Sequence, residues 1–166
     1  MMNKGKQLIW HNYQKEIADD HFFYVRSCIR QNFFPGAEAT FLRMLKDVLQ
    51  KDVYDDPDHT TCTGIGYHTD IVPLETTMTV VARQFALMTE KGYSHFIPSC
   101  VTSFGMYLEI LESWYNHPDV LEQIRKYLKE ATGRSFELPA NIVHASDIIY
   151  KFRSEIAQKA KYRLIN

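Results

Sequence analysis

Hydrophobic positions recur along this chain in two rhythms, short apolar runs of strand length and longer stretches with the i, i+3, i+4, i+7 spacing of a one-sided helix. The alternation itself predicts a fold. Leu8, Ile9, Tyr13 and Ile17, with Trp10 alongside, predict a short amphipathic helix over residues 7–20 that stands outside the domain proper. Phe22 to Cys28 and Ile29 to Phe34 are rich in aromatic and β-branched residues, and Pro35-Gly36 stops the second run, which places strand 1 at about 28–34. Phe41, Leu42, Leu45, Val48 and Leu49 predict a helix from Glu38 to Leu49.

Val53-Tyr54 writes a brief second strand before the turn residues Asp55-Asp56-Pro57-Asp58. Thr69 or Asp70 can cap the next helix, which has Pro73 and Glu75 near its start and Gly92 at its end. Tyr93 to Ile97 predicts the third strand, closed by Pro98. Helices follow over Val101–Trp114 and Asp119–Ala131, the first interrupted by His117-Pro118 and the second closed by Gly133. Phe136-Glu137-Leu138 reads as short and extended, and Asn141 to about Lys161 as a final helix with Ile142, Val143, Ile148, Ile149, Phe152 and Ile156 inward.

Strands that alternate with helices imply an α/β domain of three layers, with a small, mostly parallel sheet flanked by helices. With no repeat or low-complexity linker, the reading is a lead-in over 1–27 and one domain over 28–166. The 166 residues, 45% hydrophobic, suffice for one core and are few for two.

Charge changes the picture only by exclusion. Nineteen basic residues against 20 acidic give a net charge of −1, which offers nothing to a nucleic acid. No apolar window approaches the roughly 18 residues of a membrane span, and Leu8-Ile9-Trp10 is too brief for a secretory signal, so the expected location is the cytoplasm. Ten Tyr and ten Phe furnish a core, with some left for an aromatic docking face. Cys28, Cys62 and Cys100 are too few and too scattered for a disulfide framework, and are read as thiols, ligands or redox groups.

Candidate chemistry gathers in three segments, Phe33-Phe34-Pro35-Gly36-Ala37, Thr60-Thr61-Cys62-Thr63-Gly64-Ile65-Gly66-Tyr67-His68 and Ile97-Pro98-Ser99-Cys100-Val101-Thr102-Ser103. Each leads from an apolar run into a helical pattern, so the three are expected to meet at the carboxyl ends of the strands, where open parallel sheets bind ligands. Gly36, Gly64 and Gly66 would let a bulky group approach the backbone, although each also serves simply as a turn. Cys28 reads as core, and His144 as a packing residue on the final helix. His68, after the glycines, is the better functional histidine. The Asp55–His59 run lacks the oxygen spacing of a calcium loop and reads as a solvated turn.

Phe34-Pro35-Gly36-Ala37, Cys62-Thr63-Gly64 and Pro98-Ser99-Cys100-Val101-Thr102-Ser103 resemble the Pro-Gly-Cys, Cys-Cys-Gly and Cys-x-x-Cys segments of the cysteine-rich CCG domain, found in the B subunit of heterodisulfide reductases and in subunits of succinate dehydrogenases and glycolate oxidases. The resemblance runs from about Asn32 to Phe152. It implies thiolates that hold noncubane iron–sulfur clusters at which a disulfide is cleaved. Carried over residue by residue, the ligands fall at Ala37, Cys62, Thr63, Cys100 and Ser103, with Gly36 and Gly64 beside them. Ala offers no ligating atom, and neutral hydroxyls replace thiolates poorly, so a full cluster is not expected.

Four readings follow. The chain is a degenerate subunit that docks into a larger redox complex beside flavin or iron–sulfur proteins. Alternatively, Cys62, Cys100 and His68, with His59 or His95, hold zinc or a small iron centre. In the third reading Cys62 and Cys100 are catalytic, as a redox dithiol or a single nucleophilic thiol, which would make the chain an oxidoreductase of thiols and disulfides. The fourth is a binding module that holds a small ligand on the rim.

Overall fold

The computed structural model describes residues 17–55 and 62–160. Four short strands, β1 (Phe22–Val25), β2 (Val53–Tyr54), β3 (His95–Pro98) and β4 (Asn141–Ile142), form one sheet in the order β2-β1-β3-β4. Every pairing is parallel, with Phe22 opposite Val53 and His95, and Phe96 opposite Ile142. Helices cover both faces, as the all-parallel sheet requires. The result is the expected three-layer α/β fold.

Alternation along β1 distributes the core. Phe23 and Val25 face one side, packed with α4 (Leu74–Glu90), α5 (Val101–Asn116) and α6 (Pro118–Thr132). Phe22 and Tyr24 face the other, against α2 (Pro35–Arg43), the π-helical turn Met44–Val48 that continues it, and α7 (Ala145–Lys151). The first core is aromatic: Phe96 stacks on Phe23 at 5.7 Å and meets Tyr107 edge-on at 4.9 Å. Among the described residues, ten large rings are buried in the two cores. Two further helices, α1 (Cys28–Phe33) and α3 (Gly64–His68), stand at the strand ends, and α8 (Arg153–Lys159) follows α7.

Several expectations are corrected. Strand 1 is not 28–34 but Phe22–Val25, every residue of which is buried; residues 28–33 are helical. The cause is local. Ser27 is extended and its hydroxyl accepts from the Arg30 N–H, a helix cap, while Pro35 occupies the first turn of α2, where its missing N–H costs nothing. The sheet therefore begins upstream of residue 28. Phe136–Leu138 is not a strand. β4 is instead Asn141–Ile142, where a helix was expected, because this step is buried beside β3 and adds to the sheet before His144 caps α7. The expected helix over 7–20 falls mostly on residues outside those described, and Ile17–Asp20 form no helix.

Candidate functional site

The sheet order makes β1 and β3 neighbours whose chains leave in opposite directions, the first toward β2 and the second toward β4. At such a switch point the connections diverge and leave a crevice beyond the strand ends. Ser27-Cys28 follows β1 and Ser99-Cys100 follows β3, so two matching Ser-Cys steps flank that crevice.

One buried carboxylate ties the two steps together. Glu38, on the inner face of α2 and 3% exposed, accepts through Oε1 from the Ser27 N–H at 3.1 Å, the Ser99 hydroxyl at 3.2 Å and the Tyr24 hydroxyl at 3.1 Å. Burial, with the Glu38 charge and hydrogen bond, pushes the Tyr24 phenol far above its usual value, so it stays a donor to the carboxylate.

Cys62 comes from the connection between β2 and β3, two residues before α3. Its Sγ lies 2.9 Å from Ser103 Oγ in the first turn of α5. Gly64 makes that contact possible, since a Cβ there would stand 3.1 Å from the Ser103 Cα and 3.2 Å from its N. The Cys62-Thr63-Gly64 stretch is thus pressed on α5, with Thr63 Oγ1 donating to Met106 Sδ at 3.5 Å. The expected open glycine loop is a helix. Gly66 is buried against Val72 for the same kind of close approach.

Ser103 serves both thiols. Its hydroxyl pairs with Cys62, and its N–H points at Cys100, the N-cap residue of α5. Burial works against ionisation of Cys100, but the N–H groups of Ser103 and Thr102 and the hydroxyls of Ser27 and Thr102 outweigh it and pull its thiol below the usual value. The two sulfurs predicted to share one rim do share it.

Cys28 joins them, contrary to its expected place in the core. It is half-buried as the first residue of α1, one residue after the capping Ser27. Burial, and then the Cys62 thiol, push the Cys28 thiol up. Tyr107 lies beneath, its hydroxyl donating to Gln84 Oε1 at 2.5 Å. Burial and the charges of Cys62 and Cys28 hold it neutral.

Other predicted site residues fall elsewhere. Gly36 and Ala37 are exposed in the first turn of α2, and a Cβ on Gly36 would meet nothing within 4 Å, so no close approach requires that glycine. The strand-end residue on this connection is Cys28. His68 is exposed, and its Nε2–H donates to the Thr102 carbonyl at 3.1 Å. His95 begins β3, at the end opposite the rim, and His59 lies outside the described residues. His144 is a cap whose Nδ1 accepts from the Ser146 N–H at 3.3 Å, and burial lowers its pKa.

A cavity of about 540 Å³ opens beside Cys100, lined by Val101, Phe104, Val143, His144, Tyr150 and Lys151 among others. Each helix that begins at or just after a cysteine also exposes an apolar side chain: Phe33 of α1 at 73%, Ile65 of α3 at 50% and Val101 of α5 at 70%.

The fit to a family-type cluster is poor. The three thiols border one rim without meeting at a point, and among the described residues no three His, Cys, Asp or Glu side chains stand together as a metal-holding group. Ser103, a carried-over ligand position, is engaged with Cys62, and Thr63 with Met106.

Sequence reasoning missed Glu38, Ser27 and Cys28. Glu38 left a readable signal, a carboxylate at the first position of the Glu38, Phe41, Leu42, Leu45 apolar stripe. A charge on a buried stripe calls for partners.

No family model matches the chain. It is 25% identical over 155 residues to the B subunit of the ferredoxin:CoB-CoM heterodisulfide reductase of Methanosarcina acetivorans, an alignment covering 89% of this chain and 49% of that protein. The chain thus spans about half the length of the curated relative it matches, and the likeness supports a distant relationship. Among the described residues, no helix is long and apolar enough to cross a membrane.

Proposed function

We propose that this chain is a component of a redox complex, related to the heterodisulfide reductase B subunit, that docks by its thiol rim onto partner proteins carrying flavin or iron–sulfur centres. The observation that carries the reading is the placement of Phe33, Ile65 and Val101, exposed on the three helices that begin at or just after Cys28, Cys62 and Cys100. Apolar side chains grouped around a crevice mark a surface that another protein covers. The match to a reductase subunit supplies the kind of assembly.

In this reading the domain is a single CCG-like unit that keeps the fold and lacks the full ligand set. No electron-transfer step is assigned to a cluster on this chain. What its residues do is hold a rigid rim: Glu38 fixes the strand ends through Ser27 and Ser99, and Gly64 lets α3 sit on α5.

Affinity isolation from the source organism without oxygen tests the reading. The expected result is a stoichiometric partner with a flavin or iron–sulfur spectrum, lost when Phe33→Asp and Val101→Asp are combined. Isolation of the wild-type chain as a free monomer overturns it. Stoichiometric iron and sulfide on the isolated chain, gone in Cys62→Ala, would overturn the incomplete ligand set instead.

A further inference from the structure

We propose that the cavity beside Cys100 is a binding site for a small organic ammonium with an aromatic or apolar body, a role that goes beyond docking onto a partner. The cavity, about 540 Å³, lies past the carboxyl ends of β3 and β4, walled by the start of α5, the chain that leaves β4, and α7. Its size falls in the usual range of small-molecule sites, and open parallel sheets hold ligands in such places.

The walls set the character of the ligand. Val101, Phe104, Ile142 and Val143 offer an apolar side, with the Phe104 ring packed against the His144 ring at a centroid distance of 5.5 Å. A carbon body suits that side.

The polar side carries an uncompensated negative charge. His144 and Lys151 also line the cavity, yet neither brings a free positive charge to it. Burial lowers the His144 pKa, and its Nδ1 accepts from the Ser146 N–H at 3.3 Å, so the imidazole is neutral at pH 7. The Lys151 ammonium is committed to the carbonyls of Ile17 and Ala18 and, at 2.8 Å, to the Asp19 carboxylate. Outside the lining, the Arg153 guanidinium stands 4.2 Å from the centre of the Tyr150 ring and donates to the Tyr150 carbonyl at 2.7 Å. Asp147 remains. Its carboxylate belongs to a cavity-lining residue and has no ion-pair or side-chain hydrogen-bond partner among the described residues.

A carboxylate that nothing offsets, in one cavity with aromatic rings, selects a cation. An ammonium can donate to Asp147 in a charge-assisted hydrogen bond while its carbon body lies on the apolar side near Phe104. An anion of the same shape meets repulsion instead.

The test titrates the full chain at pH 7 with two probes of matched shape, 2-phenylethylammonium and 3-phenylpropionate, followed by amide chemical shifts. The expected result is saturable shifts at Phe104, Val143 and His144, with the ammonium bound about tenfold more tightly than the carboxylate. Asp147→Asn, a change at an exposed residue, should weaken the ammonium about tenfold and erase the preference between the probes. Shifts that do not saturate, equal affinity for both probes, or a preference that survives Asp147→Asn would each overturn the proposal. The wild-type comparison decides even if the variant fails to fold, and because the isolated chain is used, the outcome is separate from whether a partner docks.

Discussion

Glu38 Oε1 accepts from Ser99 Oγ at 3.2 Å, across a sequence separation of 61 residues, and the same oxygen accepts from the Ser27 N–H. The carboxylate is therefore the point at which two strand ends, and the cysteines that follow them, are held at a fixed distance. Its removal should be felt in both stability and thiol geometry.

Glu38→Ala leaves buried donors on Tyr24, Ser27 and Ser99 without an acceptor, at a cost of about 3 kcal/mol. Glu38→Gln keeps an acceptor oxygen and should lose about half as much. Denaturant midpoints measure both, and equal losses would show that the bonds to Oε1 are not what matters.

Two glycines should behave oppositely. Gly64→Ala drives a Cβ to 3.1 Å from the Ser103 Cα, a backbone atom that moves only with α5, and should cost about 1–3 kcal/mol. Gly36→Ala meets open space inside a helix and should gain about 0.5 kcal/mol. A stabilised Gly64→Ala protein would mean that α3 does not sit this tightly on α5.

Thiol reactivity should be ordered by pH. Alkylation needs the thiolate, so Cys100, held below the usual value of about 8.5, gains reactivity first as pH rises, and Cys28, pushed up, lags. Below both, each thiol is protonated and slow. Thr102→Val removes one of the hydroxyls that favour the Cys100 thiolate and should move its midpoint upward, as peptide-resolved alkylation rates across pH would record.

Tyr107→Phe removes the buried hydroxyl that donates to Gln84 Oε1 and should destabilise by about 1–2 kcal/mol. Tyr107→Phe should cost less in a Gln84→Ala background than in the wild-type chain, because the acceptor of its hydroxyl is then already gone. Thermal unfolding of the single and double variants distinguishes this from a loss of packing alone.

Residue patterns by themselves determined the fold class, the long helices α4, α5 and α6 and the brief β2, because those elements are decided by local apolar period and by markers such as Pro118, Gly92 and Gly133. They also led to Cys62 and Cys100 on one rim, since each stands where a connection enters a helix at the strand ends. Tertiary structure decided the rest. Whether Phe22–Val25 or residues 28–34 became the central strand depended on which run could be buried on both faces between β2 and β3, and only the first, with no Arg30, Gln31 or Asn32 to bury, could be. Cys28 changed from core to rim with that choice. Asn141–Ile142 became a strand only because the edge of β3 was open to receive it. The roles of Glu38, Ser27 and Ser99 were decided last of all, because a hydrogen bond between residues 61 positions apart exists only after α2 has packed on the sheet beside the end of β3.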